Sequence, residues 1–199
     1  MEKQLIISIG REFGSGGHEI AEMLAERFGL TLYDSSLLEE IAKENKTGSF
    51  DFEQYDEEPT NQLFSRILGK PVSTMEENIA NMQFDFLRMR ASKGESFVVV
   101  GRCAETVLRP YPAMISIFIL GDREHKVERV KKLYHISDAE AEIFITKQDK
   151  KRKTYHNFHS DGKWGDSRNY DICVNSSKLG EKETAEMLID YIIKRQEQM

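Results

Sequence analysis

The chain opens with an apolar run, Leu5-Ile6-Ile7-Ser8-Ile9, that breaks into a glycine-rich turn from Gly10 to Gly17. The run is mostly β-branched, which suits a strand buried on both faces of a parallel sheet. After the turn, Ile20, Ala21, Leu24, Ala25 and Phe28 recur at helical spacing. Gly29 then stands where a C-terminal helix cap belongs. Strand, glycine turn and amphipathic helix in this order commit the chain to an alternating α/β architecture.

The alternation continues. Thr31-Leu32-Tyr33 reads as a second strand ending at Asp34, and a helical pattern follows from Ser36 through Leu37, Leu38 and Ile41. Asn45 to Asn61 has no period and reads as a mobile loop. Val72, Met75, Ile79, Met82, Phe86 and Met89 trace one face of a long helix, facing either the core or a second copy in a homodimer. Phe97 to Val100 and Met114 to Leu120 read as strands, and Tyr170 to Val174 as the last one. Helices are expected around Val127, Val130 and Leu133, from Ala139 to about Lys153, and from Glu181 to Arg195. Five such strands imply one domain, 1–199, with an open parallel sheet between helices. Ligands of such sheets bind beyond the carboxyl ends of the strands.

Charge narrows the partners. The 199 residues carry 34 acids against 28 bases, a net −6, which argues against a nucleic-acid binder. No run approaches the roughly 20 apolar residues of a membrane helix, so no membrane is expected. Met1 to Gln4 shows no signal-peptide pattern, and Cys103 and Cys173 form no close-spaced motif. A reduced, cytoplasmic setting is the default.

What stands at the strand ends carries the chemistry. Gly14, Gly16 and Gly17 can take positive φ and turn amides inward, while the helix N-terminus adds partial positive charge. That combination holds a di- or triphosphate. Against the rule G-x-x-x-x-G-K-S/T the loop is degenerate, because Gly17 stands at the lysine position and His18 at the hydroxyl position. A dinucleotide fold is the rival reading, with Asp34 after the second strand placed to suit a ribose, but Gly14-x-Gly16 does not continue into G-x-G-x-x-G. A late basic stretch, Lys147, Lys150, Lys151, Arg152, Lys153, Lys163 and Arg168, faces only Asp149, Asp161 and Asp166 within the same window. Phosphoryl transfer needs cations around the moving oxygens, and this stretch, with His156, Asn157, Gly162, Trp164 and Gly165 as a loop, suits a lid. His156 and His159 lack two further patterned zinc ligands.

Taken together, Ile7 to Gly17, Leu32-Tyr33-Asp34-Ser35, Val98 to Arg102, and the basic stretch leading to Gly165-Asp166 and Tyr170-Asp171 resemble the cytidylate kinase-like family. The resemblance implies a three-layer P-loop kinase fold with a five-stranded parallel sheet. It also implies a helical monophosphate-binding insertion at about 35–94 and a lid at about 146–168, with core segments 1–34, 95–145 and 169–199. ATP and Mg²⁺ are the implied cofactors, and a nucleoside monophosphate the implied partner. Gly14, Ser15, Gly16, Gly17 and His18 would cradle the donor phosphates. Asp34, Ser35 and Arg102 would meet the acceptor. Lys151, Arg152 and Arg168 would supply lid charge, with Arg123 as an addition.

Three positions depart from the family: Gly17 for the loop lysine, Val100 for an acid at the end of the third strand, and Cys103 for the Asp after Gly-Arg. Arg11 or His18 would then have to reach the phosphates, and Glu12 or Glu19 a magnesium water. The same departures keep open a nucleotide-binding sensor without turnover, and a kinase of a non-nucleotide metabolite.

Overall fold

A computed structural model describes residues 3–34, 37, 41 and 75–198. Ser35, Ser36 and Leu38, Val72, and the expected loop from Asn45 to Asn61 lie outside these residues. Strands β1 (Ile6–Arg11), β2 (Thr31–Tyr33), β3 (Phe97–Val100), β4 (Met114–Leu120) and β5 (Ile172–Asn175) form one sheet in the order β2-β3-β1-β4-β5. Every neighbouring pair is parallel. The first strand is central, and its Ile6, Ile7 and Ile9 are fully buried.

Alternation of side chains across the pleat separates two cores. Ile7, Ile9, Val98, Val100, Ile115, Ile117 and Ile119 face helices α1 (Gly17–Phe28) and, at the chain's end, Gly180–Glu197. Ile6, Tyr33, Phe97 and Val99 face the other layer, which holds Leu37, Ile41, helix α2 (Met75–Ser92) and the short helix α3 (Ala104–Val107). Met82 and Phe86 of the methionine stripe lie in this core, and Met89 packs against it. The stripe thus faces inward over these residues.

Two further helices depart from the expected pattern. Helix α4 (Arg123–Tyr134) buries Val127 and Val130 but leaves Leu133 57% exposed. Helix α5 (Asp138–His159) runs past Lys153 without a break, started by a capping box between Ser137 and Glu140. The residues expected to begin the lid loop, His156 and Asn157 among them, are therefore helical. Tyr170 precedes β5 instead of starting it. The last helix, α6, is Gly180–Glu197.

A third, smaller cluster determines where α5 sits. Val127, Val130, Ala141 and Ile145 surround Phe13 and Phe144. Phe13 belongs to the glycine turn, so the turn and the basic helix share one apolar contact.

Candidate functional site

The turn from Glu12 to Gly16 links β1 to α1. Gly14 and Gly16 take φ of 81° and 74°, where a side chain is strained. At Gly16 a Cβ would collide with Glu181, so glycine is required twice over. Glu12 N–H donates to Ile119 O at 2.9 Å, and the Ser15 hydroxyl to Glu12 O at 2.9 Å. Ser176 donates to Ser15 O at 2.6 Å, anchoring the turn from β5's side. Among the described residues, the amides of Gly14, Gly16, Gly17 and His18 bond to no acceptor. Four uncommitted amides at the start of a helix are a fit for polyphosphate oxygens.

The lysine position is closed by Arg11. A Cβ on Gly17 would stand 2.6 Å from Arg11 Cβ and 3.3 Å from Ile119 Cβ. The Arg11 stem fills that space, and its guanidinium reaches Gly101 at the end of β3. Burial, and then the charges of Arg152 and Arg102, push Arg11 down to about 9, with Asp34 opposing. At neutral pH it remains a cation in a cationic neighbourhood.

Arg102 arrives there through an unusual backbone. Gly101, Arg102 and Cys103 have φ of 78°, 60° and 50°, three left-handed residues in succession. Such conformations in non-glycine residues are held only where surroundings enforce them, and they cluster at functional sites. Cys103 is 3% exposed, and burial raises its thiol to about 12. It lies 4.0 Å from His156 O, with its S–H as the donor.

These elements enclose a cavity of about 270 Å³, with Arg11, Arg102, Lys151 and Arg152 as its cations. Tyr155, Trp164 and Tyr170 supply aromatic wall. Phe118 backs them, 5.4 Å from Trp164 and 5.0 Å from Tyr170 between ring centroids. Gly10 makes room for this packing, since a Cβ there would be 2.8 Å from the Phe118 ring. Arg152 Nη1 donates to Arg11 O at 3.2 Å, and its guanidinium lies over the Phe13 ring. Burial lowers Arg152, while Asp149 and Tyr134 oppose the shift.

Other expected residues lie elsewhere. Arg123 is clasped to α5, donating through Nε to Glu142 Oε2 at 2.6 Å and through Nη2 to Thr146 Oγ1 at 2.8 Å. Arg168 is paired with Asp166 on the surface and lines a separate shallow cleft. His18 is half exposed, 3.4 Å from Glu22 and 3.6 Å from Asp34. Glu12 and Glu19, expected near a metal-bound water, hold cations instead. Glu12 Oε2 accepts from Lys126 at 2.8 Å and from Gly121 N–H at 3.2 Å, and Glu19 pairs with Arg129. Ser35 lies outside the described residues.

Sequence reasoning missed Lys126 and the role of Asp149. Lys126 is 5% exposed and sits 3.3 Å from Asp149 Oδ2, while Asp149 Oδ1 accepts from the Phe13 N–H at 2.6 Å. The available signal was Lys126 at i−4 from Val130, on the buried face of α4.

Sheet order, glycine turn and the cation-lined cavity at the ends of β1 and β3 define a P-loop kinase fold. Residues 6–178 match the model of the cytidylate kinase-like family, and the chain belongs to that family. A cytidylate kinase of Methanococcus vannielii is 24% identical over 183 residues, 88% of this chain and 92% of that one. The crystal structure of an uncharacterized protein from Eubacterium ventriosum is 42% identical with a TM-score of 0.75, covering 95% of this chain and 98% of the other. A gluconokinase from Sinorhizobium meliloti shares the fold at 13% identity and a TM-score of 0.57, covering 100% of this chain and 97% of its own. A shikimate kinase from Bacteroides thetaiotaomicron does so at 13% and 0.52, covering 94% and 98%.

Proposed function

We propose that the protein transfers a phosphoryl group from ATP to a nucleoside monophosphate. One observation carries this reading: Arg11, Arg102, Lys151 and Arg152 converge on one cavity beside a turn whose amides are uncommitted. Amides and helix terminus would hold the donor phosphates, and Arg102 the acceptor phosphate. Arg11 spans the two, with its stem on α1 and its guanidinium at β3. It thereby provides the charge that a loop lysine supplies elsewhere, and catalysis here is positioning plus electrostatic stabilisation. The Trp164 and Tyr170 walls exclude water from the transfer.

Among the described residues no three His, Cys, Asp or Glu side chains gather into a metal site. If Mg²⁺ enters with the nucleotide, it would neutralise phosphate charge, and Asp34, 3.6 Å from His18, would be the carboxylate to hold a metal-bound water. No helix among the described residues is long and apolar enough to cross a membrane, and Cys103 and Cys173 are free thiols. A cytoplasmic setting is part of this reading.

The closed lysine position favours a second reading, a nucleotide sensor that binds without turnover. A coupled assay over a panel of monophosphates, extended to gluconate and shikimate, separates the readings when set beside calorimetric binding of ATP. Turnover supports the kinase. ATP binding with no turnover on any acceptor sinks it.

A further inference from the structure

We propose that Glu105 selects the acceptor by taking a hydrogen bond from an amine or hydroxyl at the end of that molecule remote from its anionic group. The proposal rests on the phosphotransferase reading and names the substrate feature which that reading leaves open. Glu105 lies in α3, directly after the left-handed turn at Gly101 to Cys103, and is 3% exposed. It lines the same cavity as the four cations. Its Oε1 is held by His156 Nε2 at 2.6 Å and by the Thr106 hydroxyl at 3.2 Å. Among the described residues, the bonds to this carboxylate all fall on Oε1.

Among the described residues, three polar atoms of the cavity lining, Arg102 Nε and the Tyr155 and Tyr170 hydroxyls, are buried without a protein partner. Buried polar groups are costly to leave unmade, so several of them around one cavity point to a polar ligand that completes them. A carboxylate only accepts. The group it meets must therefore donate, while the cations that share the cavity lining take an anionic group. The acceptor is thus polar at both ends: phosphate or carboxylate at Arg11, Arg102 and Arg152, and an N–H or O–H donor at Glu105. Cys103 also lines the cavity but is no rival for this role, because its thiol is directed to His156 O. The cavity, about 270 Å³, is at the small end for organic ligands. An ordered His156 imidazole keeps the Glu105 carboxyl from swinging, which converts an affinity into a selection.

The test is calorimetric binding of CMP, UMP and shikimate to the full chain with a non-hydrolysable ATP analogue. CMP and UMP differ in an amine against a carbonyl at C4 and in a bare nitrogen against an N–H at N3, and the donors of shikimate are hydroxyls only. If the donor is an amine, the wild type prefers CMP over UMP by about tenfold or more, and Glu105→Gln brings that ratio to one or inverts it, since an amide also donates. If the donor is a hydroxyl, shikimate binds and Glu105→Gln weakens it by about tenfold or more. Glu105→Asp keeps the charge but withdraws the oxygen, and narrows the same preference. Wild-type protein that binds CMP and UMP equally and ignores shikimate overturns the proposal without any variant. A folded variant with all ratios unchanged does so too. Turnover with unmoved ratios sinks the role of Glu105 alone. Moved ratios without turnover sink phosphoryl transfer alone.

Discussion

Asp149, on the basic helix α5, accepts a hydrogen bond from the Phe13 amide of the glycine turn at 2.6 Å. The same carboxylate faces buried Lys126, whose other partner is Glu12 in that turn. Helix α5 is thereby tied to the turn by a hydrogen bond, a buried lysine and the Phe13 contacts. Asp149→Ala leaves the Phe13 amide unpaired and Lys126 with one carboxylate, at a cost of about 1–3 kcal/mol. For a chain of this size that is roughly 2–4 °C of melting temperature per kcal/mol. Asp149→Asn keeps an acceptor and loses less. Equal melting of all three proteins in calorimetry would contradict the tie.

Arg11 illustrates charge retained at a cost in stability. Burial, and then its cationic neighbours Arg152 and Arg102, disfavour that charge. Arg11→Met, which keeps most of the stem, therefore leaves stability unchanged or raises it. If Arg11 serves the transfer, turnover falls by about 10³-fold in the same variant. Steady-state kinetics beside thermal melts check both halves. Unchanged turnover removes Arg11 from the mechanism.

The closed lysine position makes a specific coupling. Gly17→Ala puts a Cβ 2.6 Å from Arg11 Cβ and destabilises by about 1–3 kcal/mol. Combined with Arg11→Gly, which removes the opposing Cβ, the penalty of Gly17→Ala falls. A double-mutant cycle in denaturant reads the coupling, and strict additivity would show that the two sites are independent.

The Glu105–His156 pair gives a pH dependence. Burial disfavours the charged imidazole, but the bond to Glu105, its charge and Asn157 override it, so His156 is raised above its ordinary 6.5. A raised histidine stabilises fully below 6.5, and that contribution disappears as pH rises through its folded value. The melting-temperature gap between wild type and His156→Gln should therefore shrink from about pH 5.5 to about pH 8.5. A gap that is constant or grows with pH contradicts the assignment.

Thiol chemistry offers a simple check on the floor of the cavity. Cys103 is buried, and burial together with Glu105 raises its thiol to about 12. Cys173 is only half buried. A thiol reagent at neutral pH should label Cys173 first and Cys103 only as the protein unfolds. Labelling located by mass spectrometry decides this, and rapid native modification of Cys103 would mean the cavity floor opens.

Element order was legible because it is local. The β-branched run at Leu5 to Ile9, the spacing of Ile20, Leu24 and Phe28, and Gly29 each report on neighbours within a few residues. Element ends were less so. Helix α5 continues to His159 because its end packs on α3 and the cavity, a contact with no trace in the periodicity. Arg11, Arg102, Lys151 and Arg152 were singled out as site residues and do meet. Arg123 and Arg168 carry the same charge, yet Glu142 and Asp166 hold them away from the cavity. Charge along a chain does not say which acid will stand beside which base.

The sequence by itself determined the parallel α/β sheet, the glycine turn and the concentration of positive charge late in the chain. Hydrogen-bond periodicity and the alternation of faces write those features into neighbouring residues. Only the tertiary structure decided that Arg11 fills the room of a lysine side chain, that Lys126 and Asp149 brace the turn, and that Glu105 reaches the cavity. Each of these depends on close approach between residues far apart in sequence, where steric exclusion and pairing of buried charges select one arrangement among many that the same residues allow.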